Sequence, residues 1–111
     1  MVCAVDCGRA VSPAIISAPV ESSIIFGLSA ALWGEINVQG GRVQQTNFHD
    51  YRVLRIAEVP IIETHLVDSD EPPGGIGEPA TALVAPAVCN AIYAATKQRL
   101  RSLPIARHKL A

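Results

Sequence analysis

The sequence predicts an α+β fold: a small mixed, antiparallel-rich sheet with two amphipathic helices packed on one face. Three observations carry this. Two stretches place apolar residues at helical spacing, several short segments alternate in the manner of strands, and the elements run strand, helix, three strands, loop, helix. One domain over residues 1–111 accommodates them all.

Val2 to Val5 reads as a short apolar strand, closed by the turn Asp6-Cys7-Gly8-Arg9 and continued by Ser12-Pro13. Pro19 suits the first turn of a helix, where a missing N–H leaves nothing unpaired. From there Ile24, Ile25, Leu28, Ala31 and Leu32 mark one face, and Gly34 ends the helix, giving Val20–Trp33. Glu35 to Val38 alternates, Gly40-Gly41 is a hairpin turn, and Arg42 to Phe48 returns. Ile61 to Val67 is a strand after Pro60. The last helix is carried by Leu83, Val84, Ala87, Val88, Ala91, Ile92 and Ala95, over about Ala82–Lys97. Pro86 delays its start or bends it.

Composition narrows the function classes. Half the residues are hydrophobic but only 5% are aromatic, so the core is built from Val, Ile, Leu and Ala. Nine basic against ten acidic side chains leave a net charge of −1, with no footprint for nucleic acid. The basic tail Lys97 to Lys109 reads as a solvated helix end. The acidic stretch Asp68-Ser69-Asp70-Glu71 reads as an exposed turn, since calcium-loop ligands are spaced differently. Cys3, Cys7 and Cys89 match neither a zinc pair nor a redox motif and read as free, partly buried thiols, which suits a reducing compartment. Met1 is followed by a short strand rather than a leader, and no apolar run reaches the roughly 20 residues of a membrane span, so no membrane partner is expected. His49 and Asp50, read as adjacent strand residues on opposite faces, suit a surface or structural role, as does His65. Trp33 reads as an anchor near a helix end.

The loop Gly74-Gly75-Ile76-Gly77-Glu78-Pro79 is the most informative stretch. Its glycines let backbone approach a ligand closely, and a single carboxylate stands just before a helix start. With the apolar helix that follows, Gly77-Glu78-Pro79 resembles the loop that carries the catalytic glutamate in the molybdopterin hydroxylase family of xanthine dehydrogenases and aldehyde oxidases. Val2-Cys3-Ala4-Val5-Asp6-Cys7-Gly8-Arg9-Ala10-Val11, and Glu21 followed by Ile24 to Leu32, are similar to that family in order and spacing. Gly41 to Tyr51 and Asp70-Glu71-Pro72-Pro73-Gly74-Gly75 resemble its isoquinoline 1-oxidoreductase branch. The resemblance runs from Val2 to Ile105 and is to the C-terminal part of the molybdenum-binding large subunit.

That resemblance implies an oxidoreductase that hydroxylates an N-heterocycle or oxidises an aldehyde with water-derived oxygen. It makes Glu78 the general base toward the oxygen nucleophile. It places Gly75, Gly77, Glu21, Ser22 and Ser23 beside the molybdopterin cofactor, with no protein ligand to the metal. Where the family usually reads Gln, any residue, Glu, Gly, Gly, this chain has Pro19-Val20-Glu21-Ser22-Ser23. Pro19 has no side-chain donor, so the chain alone is expected not to retain the cofactor. The implied partners are the remainder of the large subunit and an iron–sulfur subunit. The alternative is a non-catalytic remnant acting as a self-associating or partner-binding module. The isolated chain is expected to form a homo-oligomer, with the edge of Val2–Val5 as the first meeting place.

Overall fold

The computed structural model describes residues 1–110. Strand β1 (Val2–Val5) leads into helix α1 (Pro13–Trp33); a hairpin of β2 (Val38–Gln39) and β3 (Arg42–Val43) follows; strand β4 (Glu63–Leu66) precedes helix α2 (Pro79–Thr96). Single 3₁₀ turns at Ile56–Glu58 and Ile105–Arg107 complete the order.

The α+β class stands, and the strands divide into two ladders. β1 pairs with β4 in parallel, Val2 opposite Glu63 through Val5 opposite Leu66, while β2 and β3 form a separate antiparallel pair. The parallel pairing follows from the route of the chain. A crossover containing α1 and the hairpin separates the two strands, which is the kind of connection a parallel pair requires. Residues Cys3, Val5, Ile62 and Leu66 face the helices, and Ala4, Glu63 and His65 face solvent. His65 is thus a surface residue, 3.9 Å from Glu63 Oε2.

α1 starts earlier than its apolar pattern suggests. Pro13, not Pro19, occupies the first turn, behind Ser12 in extended conformation. Pro19 sits inside the helix, where it denies a bond to the carbonyl of Ile15; Ile15 is 70% exposed, so water reaches that side. α2 likewise begins at Pro79 and runs through Pro86, which lies on the exposed side of the helix. It ends at Lys97 in the left-handed conformation (φ 60°), whose N–H donates to the carbonyl of Tyr93. The basic tail is partly engaged: the Arg99 guanidinium lies 3.7 Å from the centre of the Tyr93 ring and donates to Asn90. Arg107 pairs with Glu35, holding that carboxyl below its ordinary range.

By length and composition only, α1, of 21 residues, and α2, of 18, are both long and apolar enough to cross a membrane, a test that packed core helices also meet. This corrects the expectation that no apolar stretch reaches that length. Pro19, Glu21 and the serines interrupt the apolar run without interrupting the helix.

The core lies between the helices and the inner face of β1–β4. Val20, Ile24, Leu28, Ala80, Val84 and Val5 are buried together, and a second cluster joins Ala31 to Leu100 and Ile105. The helices meet at Gly27, where an added Cβ would lie 2.8 Å from Val84 Cγ2 and 3.0 Å from the Thr81 carbonyl oxygen. Gly27→Ala gains up to about 1 kcal/mol of helix propensity. It loses about 1–3 kcal/mol to overpacking, because branched Val84 has little rotamer freedom and the Thr81 oxygen is backbone. We expect a net loss of stability; thermal unfolding of the variant beside the parent chain measures it, and an unchanged or raised midpoint would refute the close crossing.

Residues 34–60 form a mostly exposed arm that carries the hairpin, in a chain with extents of 52 × 35 × 25 Å and a radius of gyration of 16.6 Å. A compact chain of this length would have a radius near about 13 Å. The turn at Gly40 and Gly41 has positive φ at both residues (57° and 75°), as a type I′ hairpin turn requires. His49 and Asp50 lie in a turn rather than a strand, and Asp50 accepts bonds from the N–H groups of Asn47 and Thr46 and from the Thr46 hydroxyl. Those bonds hold its carboxyl down at about 2. The acidic stretch Asp68 to Glu71 is a surface segment, and among the described residues no group of His, Cys, Asp and Glu could hold a metal ion.

Candidate functional site

α1 and the start of α2 enclose a cleft of ≈ 450 Å³ lined by Ser22, Ser23, Phe26, Gly77, Glu78, Thr81 and Ala82. Of the residues singled out from sequence, Ser22, Ser23, Gly77 and Glu78 therefore come together. Glu21, beside Ser22 on α1, and Gly75, two residues before Gly77, are both exposed, and neither is in the lining.

The loop before α2 is positioned by the turn after β1. Gly74 N–H donates to the Cys7 carbonyl at 2.8 Å, and Arg9 N–H donates to the Glu71 carbonyl at 2.9 Å. Gly8, at φ +71°, lets the two backbones touch; a Cβ there would lie 2.2 Å from the Pro72 oxygen. At the far end of the loop, the buried Ser23 hydroxyl donates to the Gly77 carbonyl at 2.8 Å, across 54 residues of sequence. The Thr81 hydroxyl donates back to the Ser23 carbonyl at 3.2 Å.

Glu78 occupies the N-cap position of α2, yet its side chain makes no capping bond. The carboxylate is exposed on the cleft wall, while its own carbonyl accepts from Thr81 N–H at 3.0 Å. Its backbone is held and its acid group is left available. Gly75 and Gly77 have open space around them, since a Cβ at either would meet no atom within 4 Å. The packing of this chain does not demand glycine there, and the bare backbone leaves room for a group to approach closely.

Sequence reasoning missed Phe26, Thr81 and Ala82. The signal was present: Phe26 follows Ser22 by four residues on one helix, and Thr81 follows Glu78 by three across a helix start. Phe26 is 70% exposed and gives the cleft an aromatic wall.

The model of the molybdopterin cofactor-binding domain matches residues 1–60, just over half of the chain. The chain belongs to this family. Among curated relatives it is 44% identical, over 93% of its length, to the isoquinoline 1-oxidoreductase subunit beta of Brevundimonas diminuta. It is 38% identical, over 91% of its length, to a membrane-bound aldehyde dehydrogenase (pyrroloquinoline-quinone) of Gluconacetobacter polyoxogenes. The chain spans 13% of the length of each of these relatives. Its fold matches the crystal structure of quinoline 2-oxidoreductase from Pseudomonas putida 86 with a TM-score of 0.83 and 23% identity, over 94% of this chain and 14% of that one.

The chemistry of the cleft lining is compatible with the cofactor that gives the molybdopterin-binding domain its name. Its polar groups are hydroxyl, backbone and carboxylate, without thiol or imidazole, which suits a group held by phosphate and pterin edges. Gly77 offers backbone with no side chain in the way, and Ser22 offers an exposed hydroxyl.

Proposed function

We propose that this chain is the part of a molybdenum hydroxylase that presents the general base Glu78 and forms one wall of the cofactor cleft. The supporting observation is the joining of Ser22, Ser23, Gly77 and Glu78 in a single cleft by the Ser23–Gly77 bond. In this reading the enzyme hydroxylates an N-heterocycle or oxidises an aldehyde with water-derived oxygen. When bound, the molybdenum cofactor supplies the activated oxygen nucleophile and accepts the electrons.

The residues of this chain then have separate tasks. A carboxylate oxygen of Glu78 takes a proton from the nucleophile, for which it must lie within hydrogen-bond reach. Gly75 and Gly77 admit the cofactor against bare backbone. The Ser22 hydroxyl donates to a polar edge and the Glu21 carboxylate accepts from one, while the buried Ser23 hydroxyl is engaged by the Gly77 carbonyl and makes no contact of its own with the cofactor. Phe26 covers the cleft with apolar surface and limits water. The remainder of the large subunit completes the pocket, and an iron–sulfur subunit removes the electrons. Glu78→Gln in the complete subunit, with turnover and molybdenum measured together, tests this assignment.

A second reading, a module that self-associates or binds a partner without catalysis, is favoured by the exposed apolar side chains. Phe48 is 80%, Ile61 83% and Ile56 94% exposed. Such surface favours association by about 25 cal/mol per Å² covered. On this reading light scattering of the isolated chain at micromolar concentration gives a mass that rises with concentration; a constant mass near 11.7 kDa counts against it.

A further inference from the structure

We propose that Ser23 and Thr81 are positioning residues that set the place of Glu78 through a two-way clamp between α1 and the first turn of α2. This rests on the reading of Glu78 as the base. The Ser23 hydroxyl holds the carbonyl of Gly77, the residue before Glu78, at 2.8 Å. The Thr81 hydroxyl, three residues after Glu78, holds the carbonyl of Ser23 at 3.2 Å. Glu78 is therefore bracketed on both sides by bonds that end on one residue of α1.

The clamp stands on rigid ground. Ser23 is 4% exposed, in the same helix face as Val20, Ile24 and Gly27, all buried. One turn further along, Gly27 lets α1 pack closely against α2, where an added Cβ would lie 2.8 Å from Val84 Cγ2 and 3.0 Å from the Thr81 carbonyl oxygen. The side chain of Glu78 has no capping bond of its own, so its placement depends on its backbone. Both hydroxyls are engaged by backbone carbonyls, so each acts through the peptide units on either side of Glu78. A family pattern of Gly-Gly cannot make this contact, because it needs the hydroxyl of Ser23. Misplacing a catalytic group by about 1 Å costs up to about 10²-fold in rate.

The test uses the complete subunit, assembled with its partners and loaded with cofactor. Ser23→Ala, Thr81→Val, Thr81→Ser and Glu78→Gln are compared by kcat, KM and molybdenum content. Ser23→Ala and Thr81→Val should each lower kcat about tenfold, with KM and molybdenum content unchanged. The double variant should lose little more than either alone, because the two bonds act as one unit. Thr81→Ser keeps the hydroxyl and should stay within about twofold of the parent. The proposal is overturned if Ser23→Ala and Thr81→Val keep full kcat, if kcat falls only in step with molybdenum, or if Thr81→Ser is as impaired as Thr81→Val. Unimpaired clamp variants beside an inactive Glu78→Gln remove the clamp alone. An active Glu78→Gln removes the assignment of the base, and the clamp's purpose with it.

Discussion

Glu78→Gln in the complete subunit should lower kcat by about 10²- to 10⁴-fold, the usual contribution of a positioned acid or base. In barrier height this is about 3–5.5 kcal/mol. The amide keeps the size of the carboxylate and its place at the head of α2, but it cannot take a proton at the reacting oxygen. Because the parent side chain makes no capping bond, its replacement removes no helix cap. KM and molybdenum content should therefore change little, and the loss should sit in kcat. Glu78→Asp keeps the base but draws it back by one methylene, and should fall between the two. Retention of more than half the parent kcat by a fully loaded Gln variant would remove Glu78 from the role of base.

Gly8→Ala should be among the most damaging single substitutions for the fold. Two effects add. The left-handed conformation (φ +71°) costs a residue with a Cβ about 1–2 kcal/mol. The new Cβ would also lie 2.2 Å from the Pro72 oxygen and 2.8 Å from the Glu71 oxygen, both backbone atoms that have no rotamer to change. Overpacking of this kind costs about 1–3 kcal/mol more. Gly40→Ala separates the two effects, since Gly40 has φ +57° and nothing within 4 Å of its would-be Cβ. Urea unfolding of the chain should show a much larger loss for Gly8→Ala than for Gly40→Ala. Equal losses would mean that the contact between the turn and the loop is not made. Because the same turn holds Gly74 through the Cys7 carbonyl, the Gly8 variant should also disturb the approach to Glu78.

The residues that line the cleft were only partly legible in the sequence, for reasons that can be named. Glu78 and Gly77 stood out because a carboxylate in a glycine loop before a helix is a local pattern. Ser22 and Ser23 were reached through the family resemblance, as substitutions in a Gly-Gly position. What Ser23 does there depends on Gly77, 54 residues away, and no local pattern carries that. Pro19 misled the helix start because the first turn is the most favourable place for proline, although an interior proline is tolerated where the freed carbonyl meets water. The strand Ile61–Val67 was legible from its alternation, and is shorter in the structure at Glu63–Leu66. Its parallel pairing with β1 was not, because pairing direction is decided by the route of the intervening chain.

The arm of residues 34–60 is tied to the rest of the domain by its ends and by Leu54, whose side chain packs against the main core. Leu54 N–H donates to the Ser29 hydroxyl at 2.9 Å, the Arg52 guanidinium lies 3.9 Å from the centre of the Trp33 ring, and Arg107 reaches Glu35. Its tip, the Gly40-Gly41 turn, touches none of them. Segments with few buried contacts open as their own cooperative units, independent of the core. The Gly40-Gly41 turn itself has open space around it, so a foreign peptide spliced between the two glycines would meet no packed neighbour in this chain. For engineering, the turn is a natural port for a fluorophore or an affinity handle on a subunit whose chemistry lies elsewhere.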